Sequence, residues 1–501
     1  MAGSVEQVLG WFPGGDAIAR CSATSLSFSA AAPAVAGHDG EDRISALGDH
    51  ILCDIVSRLP VKDAARTAAL ASRWRHIWRS TPLVLYDAHL LPSDRDRVAA
   101  AVARVLANHP GPFRTVTISS CDFASREPEL VAECARLLAA KGVENLVLVN
   151  DLADRSRLPA VPSDVLRCAS LRRLFLGFWR FRNNSAAVPL PPSGGFPHLL
   201  ELTVFGTHMP GHSLDHLLAS SPALGTLALV LSRTRERVHL QSLSLKCVLL
   251  WHYSTQEVVV SMDSRLLQRL ILWKTLHDGD DNVVVAMRVK IHGATKLRLL
   301  GYLDMDIRVH QLQIGDNVIE PDTEVSPSTV VPSVKVLALR VNFGVLEEVK
   351  TMANILRCFP NVRKLHIEVI ELLLTPVILQ SALAADEPTG THNANFWREL
   401  RPIECLKSRV RKIFIHEFRG EQSEMEFLGF VARSAVKVRN LLFGVTKEIF
   451  ASGPLVNEAI SKVAALSRGS WNCDNCNVAV VRPNGWSFHR ASDLSVKDPF
   501  H

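Results

Sequence analysis

From residue 113 onward the chain repeats a short signature, apolar-x-x-apolar-x-apolar. It occurs at Phe113/Val116/Ile118, Val143/Leu146/Leu148, Leu171/Leu174/Leu176, Leu199/Leu202/Val204 and Leu224/Leu227/Leu229. It continues at Leu240/Leu243/Leu245, Leu267/Leu270/Leu272, Ala294/Leu297/Leu299, Val309/Leu312/Ile314, Val334/Leu337/Leu339 and Val362/Leu365/Ile367. Most starts lie about 25 to 30 residues apart, with gaps of only about 15 before Leu240 and before Val309. The last two apolar positions alternate as on a strand and point inward, and the first sits in the turn that feeds it. One unit buries too little to stand alone, so units must stack into a coil with a parallel sheet along one side. The short gaps leave room only for a minimal return on the opposite side.

Connecting segments carry helical signals. Glu129 to Ala140, Ser213 to Ala219 and Val345 to Cys358 each place apolar residues on one side and end near Gly, Ser or Pro. An open α/β sheet would also alternate strands and helices, but with longer all-apolar strands and less even spacing. In the stacked reading, the residue between the two inward positions faces the other side of the sheet. Phe175, Thr203, Ser244, Ile271, Arg298 and His366 hold that place, as do Val147, Ala228, Gln313 and Ala338. The mixture is neither acidic nor basic, which fits a protein-binding face of moderate polarity.

Ahead of the repeats, Asp42 to Trp78 reads as three short helices. Asp49 is a cap for the first, and Ile51, Leu52, Ile55, Val56 and Leu59 form its apolar stripe. Pro60 ends that helix, Asp63 supports the second and Ser72 opens the third, where Trp74 and Trp78 lie one turn apart beside Ile77. A unit of about forty residues is at the limit of what a core can stabilise alone. Three such helices cannot hide both indoles and the whole stripe from water. Some of that surface should be buried against either the rest of this chain or a second protein, and the partner reading needs it left for another polypeptide.

This run resembles the F-box: Asp42-Arg43-Ile44-Ser45, Leu47, Asp49 to Leu52, Leu59-Pro60-Val61-Lys62-Asp63, Arg66-Thr67 and Ser72 to Trp78. One departure is Gly48, where the family usually has Pro; it is expected to loosen the helix start. The resemblance implies docking on the small Skp-type adaptor of cullin–RING ubiquitin ligases. By that resemblance the contact residues are Leu47, Ile51, Leu52, Ile55, Leu59, Pro60, Leu70, Trp74, Ile77 and Trp78. The repeats look like an irregular leucine-rich solenoid over residues 95–375, although they lack a consistent Asn at the turn. After a linker at 376–400, residues 401–445 resemble the FBD domain. There Val410/Ile413/Ile415 feed a helix from Glu421 to Ala435 and a strand at Val438/Leu441/Phe443. The three modules arrive in the order seen in plant F-box proteins.

The expected architecture is therefore α/β: a three-helix F-box at 41–85, the solenoid, a small α/β FBD-like module and a C-terminal segment at 446–501. Residues 1–40 are rich in Ala, Ser and Gly and hold a single arginine, Arg20, which reads as a disordered tail rather than a transit peptide. No run of about eighteen apolar residues marks a membrane span. The 501 residues are 47% hydrophobic and 21% charged, a folded profile. The net charge of +6 is small, and its signs alternate along the chain, so it does not by itself point to nucleic acid or a membrane surface.

Ten cysteines sit mostly among apolar neighbours, as buried thiols of a reducing compartment do. Cys473-x-x-Cys476 lacks a second ligand pair, and His489 and His501 fit no common zinc spacing, so no metal or other cofactor is expected. Asp278, Asp280 and Asp281 beside His277 lack the Gly and Glu of a calcium loop. Arg73, Arg75, Arg79 and His76 are better read as the rim of a protein interface than as a nucleic-acid patch. No phosphate loop, nucleophile elbow or zinc-protease signature appears in the sequence. The expectation is a non-enzymatic substrate-recognition subunit of a Skp–cullin–F-box ubiquitin ligase, in the cytoplasm or nucleus, with an unknown protein target. The alternative is a repeat scaffold that works without the adaptor.

Overall fold

The structure, a computed structural model, describes residues 44, 46–90, 97–123, 128–150, 157–181, 195–234, 237–273, 286–370, 391–469 and 476–481. Readings of the first forty residues, the 277–281 cluster, Cys473, His489, His501 and the start of the linker lie outside them. The chain divides into two compact units, one through Ser232 and one from Arg233 onward.

The first unit opens with helices α1 (Asp49–Ser57), α2 (Val61–Thr67) and α3 (Ser72–Ser80). Next come β1 (Leu83–Tyr86), α4 (Val98–Asn108), β2 (Phe113–Cys121), α5 (Pro128–Ala140), β3 (Asn145–Asn150), β4 (Arg173–Gly177), β5 (Glu201–Phe205), α6 (Gly211–Ala219) and β6 (Thr226–Val230). The six strands pair in parallel in chain order, so each coil adds one rung. The inward leucines fall in register, Leu146 with Leu174, Leu202 and Leu227, and all four are buried. Burying each stabilises the stack by about 1.5–3 kcal/mol, and no single coil could gather that core.

The second unit has two sheets. The main one is parallel, ordered β8 (Cys247–Trp251), β10 (Arg269–Trp273), β12 (Leu299–Asp304), β15 (Val336–Val341), β16 (Lys364–Val369), β17 (Lys412–Phe418), β18 (Asn440–Val445) and β19 (Asn477–Val481). The second lines the return side: β7 (Arg237–Leu240), β9 (Glu257–Val260), β11 (Met287–Ile291) and β13 (His310–Ile314) pair in parallel, and β14 (Asn317–Val318) closes it antiparallel. Later coils return through α7 (Leu346–Cys358), α8 (Thr391–Glu399), α9 (Glu404–Ser408), α10 (Gln422–Ser434), α11 (Lys447–Phe450) and α12 (Gly453–Gly469).

The return strands explain where the repeat register slips. Leu240 belongs to β7, Leu243 is 73% exposed in the bend after it, and the true rung is Leu245/Val248/Leu250 on β8. Likewise Leu297, Leu300 and the bulged end of β12 replace Ala294/Leu297/Leu299, and Val309/Leu312/Ile314 is a return strand. At the β12 bulge only glycine fits position 301, because a Cβ there would stand 2.4 Å from Ala338 Cβ at a φ of +148°.

The linker reading of 376–400 fails over its last part, where α8 buries Trp397 against Phe427 and Phe430. The FBD-like module has the expected strand, helix and strand. They continue the same ladder, with Leu365 in register with Ile413 and Leu441.

Candidate functional site

In the three-helix unit the bulk of the apolar stripe turns inward. Leu52, Val56, Ala64, Trp74 and Ile77 are buried, and Leu47, Leu59, Pro60 and Trp78 are half-buried. The indole of Trp78 meets the His109 ring edge-on with centroids 5.0 Å apart, and Pro60 bridges to Val84 on β1. The expectation that both indoles lie open to a partner is thus overturned. Trp74 completes the helical core, and Trp78 is used to seat that core on the first coil. What remains outside is aliphatic: Ile51 is 39% exposed, Ile55 38% and Leu70 68%, joined by Ile44 at 58%. Ile51 and Ile55 lie one turn apart on the outer edge of the α1 stripe, flanking the buried Leu52 and Val56.

The start of α1 is held from α3. The N-cap is Gly48, with an ordinary extended backbone, and its carbonyl accepts the amides of Ile51 and Leu52. Asp49 does not cap. Its carboxylate accepts Arg73 Nε at 2.7 Å, while Arg73 Nη2 donates to the Leu47 carbonyl at 2.6 Å. Asp63 stands in the first turn of α2, as expected, and pairs with Arg66 at 2.9 Å; Ser72 opens α3, and Pro60 and Ala71 occupy the N-caps of the two helices.

On the first unit's sheet, the column facing away from the inward leucines runs Thr117, Val147, Phe175, Thr203, Ala228 in register. Phe175 and Thr203 therefore stand side by side, each less than 10% exposed. They line a cleft of about 180 Å³ with Tyr86, Thr115, Asn145 and Val147. Arg173 and Glu201 pair across it at 3.2 Å, and Asn145 Nδ2 donates to Thr115 Oγ1 at 3.2 Å. At the base of the cleft the buried Thr117 hydroxyl has no hydrogen-bond partner among the described residues.

In the second unit the corresponding column is Leu249, Ile271, Gly301, then Ala338, His366 and Phe414. Ile271 is fully buried, beside Trp251 and Trp273, whose rings stack 4.9 Å apart. His366 is buried and stacked with Phe414 and His416; burial, with Lys412 and Lys364 nearby, pushes its pKa down to about 3. Ser244 and Arg298 are not in this column. Ser244 lies in the bend before β8, and Arg298 directly precedes β12. Gln313 lies on the return sheet. Beside the column, Arg340 is held between Asp304 at 3.1 Å and Glu368 at 3.4 Å, one charged cluster that the sequence reading missed because its members come from three rungs.

Comparison with known proteins finds three family matches. Residues 44–86 match the F-box domain, residues 131–367 the leucine-rich repeats of FBD-associated F-box protein At5g56370, and residues 398–442 the FBD domain. The chain thus carries an F-box domain, leucine-rich repeats and an FBD domain. Among Arabidopsis thaliana relatives of this F-box protein, the F-box/LRR-repeat protein At3g26922 is 30% identical over 28% of this chain and 45% of its own length. The F-box/FBD/LRR-repeat protein At5g53840 is 43% identical over 12% of this chain and 14% of its own. The putative F-box protein At1g67390 is 24% identical over 86% of this chain and 91% of its own. The chain thus spans less than half the length of the first two. Its F-box match covers all three helices and the exposed Ile51 and Ile55.

Proposed function

We propose that this F-box protein is a target receptor of a Skp–cullin–F-box ubiquitin ligase. F-box proteins are in general such receptors, and the F-box implies a Skp-type adaptor. The observation that carries the reading is the outer face of α1. Within an F-box match, Ile51 and Ile55 are left uncovered while Leu52 and Val56, beside them on the inner edge of the same stripe, complete the helical core. That aliphatic face, with Leu70 and the half-buried Leu47, docks on the adaptor. The repeat units then hold a protein target near the ligase's transfer machinery, raising its effective concentration. The receptor contributes binding, and bond making belongs to the ligase's other subunits.

The cleft containing Phe175 and Thr203 opens on the repeat face of the first unit and serves as a target contact. The receptor acts in the cytoplasm or nucleus, in keeping with described cysteines that are all free thiols, six of them buried. The adaptor-independent alternative rested on a loosened start to α1; the hold of Arg73 on Asp49 and Leu47 supports an ordered start and so favours the receptor reading. The test is copurification of the full chain with a recombinant Skp-type adaptor. A 1:1 complex is the expected result; a chain that elutes alone at micromolar concentrations of both would sink the proposal.

A further inference from the structure

The position just before the main-sheet strand carries a basic residue on six of the first seven rungs of the second unit, while Cys476 precedes the eighth, β19. The six are Lys246, Arg298, Lys335, Arg363, Arg411 and Arg439, with neutral Gln268 as the exception. They are strictly in line. The Gln268 amide donates to the Lys246 carbonyl, and Arg298, Lys335, Arg363, Arg411 and Arg439 follow, each amide bonded to the carbonyl of the rung before at 2.7–2.9 Å. Adjacent rungs are about 4.8 Å apart, so the six charges form a ridge of roughly 30 Å. Five are exposed and Lys335 is half-buried.

None of the six has an ion-pair partner among the described residues. Next to the ridge, Lys364 and Lys412 stand in register on neighbouring strands; burial and the Lys364 charge together depress the Lys412 pKa. The same position in the first unit holds Arg114, Glu144, Arg172, Leu200 and Gly225, which make no such row.

A row of like charges without counter-charges costs stability unless something of opposite sign answers it. We propose that the ridge is a docking surface for an acidic, extended segment of the target protein. This rests on the receptor reading above and names the chemistry of the target. An extended chain advances about 3.4 Å per residue and presents alternate side chains every 6.8 Å, so a run of eight to ten Asp or Glu residues spans the ridge. A nucleic acid strand would want aromatic platforms for its bases along the row, and the ridge positions supply none.

The test uses the full chain and a fluorescent octa-glutamate peptide, with anisotropy read at low and at 0.5 M salt. Binding that weakens with salt is expected. Arg363→Glu with Arg411→Glu should weaken it about tenfold, whereas Arg237→Glu with Arg288→Glu, the same charge change on the return sheet, should alter it less than twofold. Equal loss in both double variants would reduce the ridge to net charge alone and overturn the proposal. So would tighter binding of octathymidylate than of the peptide. Copurification with the Skp-type adaptor should be unchanged in the ridge variant, so a failed peptide experiment leaves the receptor reading standing.

Discussion

Arg73 on α3 grips Asp49 on α1, its Nε donating to Oδ1 at 2.7 Å, and its second nitrogen reaches the Leu47 carbonyl one step outside the helix. The guanidinium thus supplies from across the bundle the order that a proline at position 48 would have supplied locally. Both side chains are partly exposed, 40% and 62%, so the contact is worth little as an ion pair. Its effect is on geometry. Arg73→Ala should lower stability by only about 0.5–1 kcal/mol, yet speed amide exchange at Ile51 and Leu52 and weaken adaptor binding. Unchanged exchange at those two amides would mean the grip does not set the helix start.

The outward and inward residues of α1 should separate cleanly under substitution. Ile51→Glu with Ile55→Glu places charge on an already wet face, so the melting temperature should hold while the adaptor is lost. Leu52→Ala instead removes a fully buried side chain and should cost about 2–5 kcal/mol, losing the adaptor through unfolding. Trp74→Ala belongs with Leu52→Ala for the same reason. Thermal melts beside adaptor pull-downs distinguish the classes, and an Ile51/Ile55 variant that still binds would remove α1 from the interface.

Stability of the second unit should fall as pH rises from about 6.5 to 8. Burial pushes the Glu348 carboxyl up to about 8, helped by Asp304 and Asp306 against Arg308 and the Asn342 amide. Burial likewise raises Glu424 to about 7. A folded pKa above the unfolded value means that the native state holds the proton longer, so stability is full below about 4.5 and is lost as pH climbs to the folded pKa. His366 and His416 act oppositely, since their folded pKa values are depressed by burial. They cost stability only below about 6.5 and leave the upper window to the two glutamates. Urea melts at pH 6.5 and 8 should differ by on the order of 1 kcal/mol, and Glu348→Gln should shrink the difference. A flat profile in wild type would show that Glu348 is ionised throughout.

Much of this arrangement is written plainly in the chain. The inward apolar residues from Val143 to Leu229 mark rungs β3 to β6, because the described parts of the returns there carry no competing strand. The signal breaks where the return is itself a strand. Val238 and Leu240 alternate as convincingly as a true rung, so Leu240 was read as one and the register moved by five residues, carrying Ser244 with it. A shift of three residues at Ala294 displaced Arg298 in the same way. Trp74 and Trp78 were misjudged for a different reason. Helical spacing shows which residues share a face, but not that the first coil would supply His109 to meet it. The basic ridge is invisible in the sequence because its members lie 28 to 52 residues apart among acids that the fold sends elsewhere.

The Thr117 hydroxyl offers a direct test of the cleft on the first unit. It is 2% exposed, lies beside Val147 in register, and has no hydrogen-bond partner among the described residues. A buried hydroxyl left unmade costs about 1–3 kcal/mol, whereas a methyl of the same shape costs nothing. Thr117→Val should therefore leave the unfolding free energy unchanged or raise it by about 1 kcal/mol in urea melts. Thr117→Ala removes volume as well and should lower it. If the cleft takes a target side chain carrying a polar atom, the valine variant gains stability and loses target affinity together, a pairing that simple repacking does not produce. A valine variant that is less stable by more than 1 kcal/mol would show the hydroxyl to be satisfied within the folded protein, and the cleft would then need no polar guest.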